Sequence, residues 1–188
     1  MGLFDALLGR SRQAQPDLDA LFSLPSAALT LESASEIRPT GVGAVCFREA
    51  EGGPFARLKG DITALLGGSE PEEVRDSYGY TWLVVRRPAA DVPALVTDLH
   101  AVNTTLESAG FGPSLLCSTI GLRTGSGQSL ALVYLYKRGT FYPFAPVDAA
   151  TQQRDSALEL QVRALVSGDL PIENDVSRWF PVWGAPGM

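Results

Sequence analysis

The sequence predicts an α+β fold, a mainly antiparallel sheet with helices packed largely on one face, and three features of the 188-residue chain carry that expectation. Tyr78 to Arg87 is a run of aromatic and branched side chains closed by Pro88, as in a central strand. Asp91 precedes Pro93 and an apolar stripe of Leu95, Leu99, Val102 and Leu106, the pattern of an amphipathic helix with an N-cap and a proline in its first turn. Residues 113–123 and 129–137 flank Thr124-Gly125-Ser126-Gly127-Gln128, whose glycines suit a hairpin, so these two runs pair antiparallel. A parallel, doubly wound sheet is the alternative topology.

In chain order, residues 1–16 read as a short amphipathic segment and linker, and 17–188 as one α+β domain. Leu3, Phe4, Leu7 and Leu8 fall along one side of a two-turn helix that ends near Gly9. Such a finger docks on the protein's own core or makes a weak contact with lipid or a partner helix; it is too short to span a membrane. Asp17 to Phe22 forms a further short helix, stopped before Pro25. Ala28 to Glu32 and Gly41 to Phe47 alternate as strands. Phe55, Leu58, Ile62, Leu65 and Leu66 share a helical face terminated by Gly67-Gly68, and Ser69 to Asp76 is an acidic, solvated connection. The strand from Tyr78 is expected to be central. On the helix that follows, His100 sits off the apolar stripe, while Asn103 at its edge is an amide that needs partners if buried. Asp148 to Val166 reads as helix, with Leu158, Val162 and Leu165 inward and Leu160 on the opposite side, as though covered on two faces. The closing run Asp175 to Gly184 is too apolar for a free tail.

Composition excludes several function classes. A net charge of −6 and a pI near 4.8 deny the chain a broad basic footprint for nucleic acid. Cys46 and Cys117 sit in apolar runs, where cysteine behaves as a small buried hydrophobe. His100 is the one imidazole, no G-x-S-x-G elbow occurs, and the Gly-x-Gly pairs at 41 and 125 do not extend into a phosphate-binding fingerprint. The ligand spacing recommends neither a metal nor a cofactor. What remains is aromatic and basic: Tyr134 to Pro146 packs five rings, Lys137, Arg138 and two prolines into thirteen residues. Lys137, Arg138, Phe141, Tyr142 and Phe144, joined in space by Arg178, Trp179, Phe180 and Trp183, form the candidate partner-binding surface, since rings and guanidinium groups dominate binding hot spots. A rival reading is a small-ligand binder or enzyme with a pocket near Arg138, roofed by Trp179 and Trp183. A third is a chaperone-like homodimer formed through Leu160.

Several segments point further when taken together and in order: Met1-Gly2-Leu3-Phe4-Asp5-Ala6-Leu7-Leu8-Gly9-Arg10, Tyr78 to Arg87, Leu99-His100-Ala101-Val102-Asn103-Thr104-Thr105-Leu106, Leu135-Tyr136-Lys137-Arg138-Gly139-Thr140-Phe141-Tyr142-Pro143-Phe144, and Arg178-Trp179-Phe180-Pro181-Val182-Trp183-Gly184. The chain resembles the PspA-associated protein PspAB family of actinobacteria and archaea over nearly its whole length. The resemblance implies a non-enzymatic accessory of PspA, the coiled-coil protein of the phage-shock response to membrane stress; the cytoplasm is the expected location because Met1 to Arg10 shows no basic start or cleavage pattern. The resemblance also implies a PspA-like coiled coil as partner and carries over no catalytic residues; the expectation of weak peripheral membrane contact rests on the apolar finger, and that of no cofactor on the residue pattern. The order strand, helix, strand, hairpin from Tyr78 to Lys137 is also similar to YbjN-like and type III secretion chaperone-like domains.

Overall fold

The computed structural model describes residues 15–48, 53–67 and 70–188, so the apolar finger Leu3, Phe4, Leu7 and Leu8 lies outside the described residues. Strands β1 (Arg38–Arg48), β2 (Glu72–Arg75), β3 (Tyr80–Arg86), β4 (Leu115–Arg123), β5 (Ser129–Leu135) and β6 (Thr140–Phe144) form one antiparallel sheet in the order β2-β3-β1-β4-β5-β6. Helices α1 (Leu24–Ser35), α2 (Gly53–Leu65), α3 (Val92–Leu106) and α4 (Ser156–Val166) all pack into the core on one face. The α+β expectation holds, and the parallel alternative fails because every sheet pairing is antiparallel. The strand from Tyr80 is second from the edge; β1 and β4 take the centre.

Helix α3 anchors the helical layer. Asp91 accepts a hydrogen bond from the Ala94 N–H at 3.1 Å, and Leu95, Leu99, Val102 and Leu106 are fully buried. Its axis comes so close to β1 that a methyl group on Gly43 would lie 3.0 Å from Leu99 Cδ1. Asn103, also fully buried, donates from Nδ2 to Leu99 O and to Ser118 Oγ, both at 2.8 Å, which bolts the helix to β4. Arg87 grips Asp98 with two nitrogens at 2.6 and 3.0 Å.

Five expectations require correction. Ala28 to Glu32 belongs to α1, not to a strand: Leu24, Ala27, Ala28 and Leu31 recur at helical spacing and are all buried, and Pro25 opens the helix instead of ending the previous one. On α2 the inward residues are Leu58, Ile62 and Leu66, while Leu65 is exposed. Glu72 to Arg75 is a strand paired with β3 rather than a solvated loop. The last helix begins at Ser156, where Asp155 accepts from the Leu158 N–H at 2.9 Å; before it, β7 (Pro146–Asp148) and β8 (Gln153–Arg154) make a small hairpin. Leu160 is half exposed, so no second layer covers it among the described residues.

The sheet is apolar on both faces. Val45, Phe47, Leu83, Leu132 and Phe141 meet the helices, whereas Ala44, Cys46, Trp82, Cys117, Val133, Tyr142 and Phe144 point the other way. The C-terminal segment covers this second face, with Trp179, Trp183 and Ala185 buried against it. It crosses β4 so closely that a methyl group on Gly121 would sit 2.4 Å from Gly187 O. Residues 171–173 flank the outer edge of β6, the Phe141 N–H donating to Pro171 O and the Glu173 N–H to Phe141 O, both at 2.8 Å.

Two buried carboxylates lock this cover in place. Glu173 accepts from Arg138 Nε, from Thr140 Oγ1 at 3.2 Å and from the Asp175 N–H at 3.1 Å. Glu159 accepts from Arg154 Nε at 2.8 Å and from the Ala145 N–H at 2.8 Å, and Arg154 Nη1 donates on to Trp179 O at 2.8 Å. Burial alone pushes the Glu173 carboxyl up, yet its hydrogen bonds from Arg138, Asp175 and Thr140, with the Arg138 charge, outweigh burial and leave it below the usual range.

Truncating Leu99→Ala in this packed layer is expected to cost about 2–5 kcal/mol, whereas Leu160→Ala stays within about 0.5 kcal/mol; urea unfolding compares them. A carboxyl whose folded pKa is depressed adds stability that is complete above its unfolded value, near about 4.3, and is lost as pH falls through the folded value. Glu173→Gln is therefore expected to lower stability by roughly 1–3 kcal/mol at neutral pH and to flatten its fall between pH 6 and pH 3, measured by urea titrations across that range.

Candidate functional site

Between the second face of the sheet and the C-terminal segment lies a cavity of about 600 Å³. Its floor is Cys46 and Cys117, which stand directly opposite each other on β1 and β4 and are both free thiols. The Cys117 sulfur hydrogen-bonded beside it, together with burial, pushes the Cys46 thiol far above its usual range, so it stays protonated and is a poor nucleophile. Leu116, Leu135, Tyr80, Trp82 and Tyr142 form the walls, and Phe180 to Trp183 the roof. Asp76, Lys137, Arg138 and Gln152 supply its polar side. Such a volume lies within the range of about 300–1,000 Å³ typical of ligand sites, and the lining is mostly apolar.

Each wall is fixed by a local device. Asp76 turns β2 into β3, accepting from the N–H groups of Tyr78 and Tyr80 at 2.9 Å, and holds the Trp82 indole N–H at 3.0 Å. The Tyr142 hydroxyl donates to Phe180 O at 2.6 Å and its ring stacks on Trp179 at 6.0 Å between centroids. Burial drives the Tyr142 phenol well above its ordinary range, so it is a fixed hydrogen-bond donor. Trp183 meets Phe144 edge-on at 4.9 Å, and Arg154 lies 5.0 Å over the Phe144 ring.

The nine residues of the expected partner surface divide sharply. Phe141 is in the helix-side core against Tyr134, with 5.1 Å between ring centroids, and Tyr142, Phe144 and Trp179 are buried under the C-terminal segment. None of those four is an exposed contact surface: the pleat of β6 sends successive rings to opposite faces and the tail covers the outer ones. Trp183 is buried at the cavity wall. Arg138 is held by Glu173, and Arg178 lies 3.5 Å from Asp175 and 3.8 Å from Glu173. Lys137 is exposed, and Phe180 keeps 59% of its surface in solvent. Tyr78, 58% exposed, stands at the same cavity and escaped the sequence reading, as did the facing cysteines. Alternation within β1 and β4 implies two apolar faces, but only register places the two thiols together.

His100 lies on the helix side of the sheet, 3.3 Å from Asp19 and against the Phe22 ring at 4.7 Å, and is not part of the cavity lining. The structure therefore does not bring His100 and Arg138 to one cleft. A second depression of about 670 Å³, between Glu36, Arg38 and Arg123, is polar, and its cations are engaged by Glu32 at 3.2 Å and Gly127 O at 2.9 Å. Among the described residues, no three His, Cys, Asp or Glu side chains are grouped to hold a metal ion, and no helix is long and apolar enough to cross a membrane.

No curated protein and no solved structure matches the chain at significant similarity. A family model does match, that of PspA associated protein B, and it covers residues 1–187, which includes every strand, every helix and the cavity lining described above. The chain belongs to the PspA associated protein B family.

Proposed function

We propose that the protein is a non-catalytic, cytoplasmic accessory of a PspA system that grips a helical, coiled-coil partner through the rim around the cavity mouth. The observation that carries this reading is the exposure of Phe180 and Tyr78 beside Lys137, in a member of a family whose name records association with PspA. Large exposed rings lining one apolar opening are unusual on a surface that has no use for them. Their area suits the apolar stripe of an amphipathic helix. Lys137 makes no ion pair or hydrogen bond among the described residues, so it is available to an acidic side chain on that helix. Arg178, 43% exposed, adds a second positive charge near Phe180. Arg138 contributes by shaping the rim, its guanidinium being committed to Glu173.

The rim can be altered without touching the core. Lys137→Glu combined with Phe180→Ala is expected to weaken binding of a purified PspA-like coiled coil about tenfold or more, a loss of roughly 1.4 kcal/mol or greater, with an unchanged melting temperature. Isothermal titration measures the affinity. Equal affinities for the variant and the unaltered protein would remove this rim from the binding surface. Raising the salt concentration is expected to weaken the complex of the unaltered protein more than that of the variant, because Lys137 contributes a screened charge contact.

A further inference from the structure

One row of side chains crosses the second face of the sheet in register: Trp82 stands opposite Cys46, Cys46 opposite Cys117, and Cys117 opposite Leu135. Between a tryptophan and a leucine, the two middle strands contribute the smallest side chains of the row, so the face sinks into a trough where β1 and β4 meet. The C-terminal segment fills this face elsewhere with Trp179 and Ala185, yet passes over the trough and leaves the cavity of about 600 Å³. Native interiors hold few voids bigger than a water molecule, so an apolar space of this size is a receptacle and not a packing flaw. Its floor offers little to water. The two thiols are hydrogen-bonded to each other, and Asp76 is already matched to the N–H groups of Tyr78, Tyr80 and the Trp82 indole.

Charge enters the cavity from one end. Leu135 is the last residue of β5, and Lys137 and Arg138, in the turn that follows, both line the cavity. Tyr80, another lining residue, marks the same end of the sheet and stands opposite Arg48, which is exposed. Asp76 is matched to its three donors and Arg138 to Glu173, whereas Lys137 has no partner among the described residues. The potential at this end is therefore positive and favours an anion. We infer that the cavity binds an amphipathic monocarboxylate, its apolar body lying over Cys46 and Cys117 and its carboxylate on the Lys137 ammonium. A cationic amphiphile meets Lys137 with like charge, and a sugar brings hydroxyl groups to walls that cannot pair them. The site uses the floor of the opening and does not depend on the rim holding a helix.

Decanoate, titrated into the full chain, is a direct probe, and tryptophan fluorescence follows it because Trp82 and Trp183 line the cavity. Saturable binding is expected, about tenfold tighter than that of decanol and tighter still than that of decyltrimethylammonium, which keeps the alkyl chain and reverses the charge. Lys137→Gln is expected to lower the decanoate affinity about fivefold and to remove most of the preference for decanoate over decanol. The chain's two cysteines locate the ligand, since both lie on the cavity floor. Bound decanoate is expected to slow their modification by methyl methanethiosulfonate about tenfold or more in the unaltered protein. Equal affinities for decanoate and decanol would overturn the carboxylate assignment, and modification rates that saturating decanoate leaves unchanged would overturn the site. No coiled coil is present in these titrations, so either failure leaves the proposed helix contact of the rim standing.

Discussion

An antiparallel sheet that is apolar on both faces has to be covered twice, and this constraint organises the molecule. The first cover is the helical layer, with α3 as its keel. The second is the last segment of chain, which is irregular and therefore carries backbone groups that must find partners over an apolar surface. Glu159 and Glu173 solve that problem: Arg154 bridges Glu159 to Trp179 O, and Glu173 joins Arg138 to the turn that begins at Asp175. Buried carboxylates are costly to desolvate and become tolerable only when nearly every lone pair is engaged, as here. They fix one docking geometry for a segment that helical or strand periodicity would not fix.

The same constraint explains why a stretch rich in rings and cations yields so little exposed contact surface. In β6 the rings are the covering of both faces, and Arg138 is the counter-ion of a buried acid. What reaches solvent is the margin where the cover ends: Phe180, Tyr78 and Lys137 around an opening that the tail does not close. Site and fold are thus one arrangement, the cavity being the gap between a twisted sheet and an irregular lid.

Much of the frame was legible from local pattern. The Asp91 cap, the stripe to Leu106 and the 124–128 hairpin each combine a periodic run with its own stop signal, and each stands where expected. Ala28 to Glu32 misled because Leu29-Thr30-Leu31 alternates over too short a window to separate period 2 from period 3.6, and tertiary burial of Ala27, Ala28 and Leu31 decides for helix. The stretch from Asp148 went astray because Asp148 closes a turn through the Ala150 N–H and Thr151 hydroxyl, at 2.8 Å each, instead of capping a helix. Family resemblance was readable from ordered motifs. The facing of Cys46 and Cys117 was not, since no local rule sets the register of β1 against a strand some seventy residues away.

The pairing of Phe141 with Ile172 has a further meaning for the behaviour of the molecule in a crowded solution. Exposed strand edges are templates onto which another molecule's backbone can add, and long apolar edges promote fibrous association. Here the β6 margin is occupied by the chain's own residues 171–173, and the β2 margin is only four residues long and carries Glu72, Glu73 and Arg75. Among the described residues, neither end of the sheet invites a seventh strand. Association by strand addition is accordingly disfavoured at both of these margins.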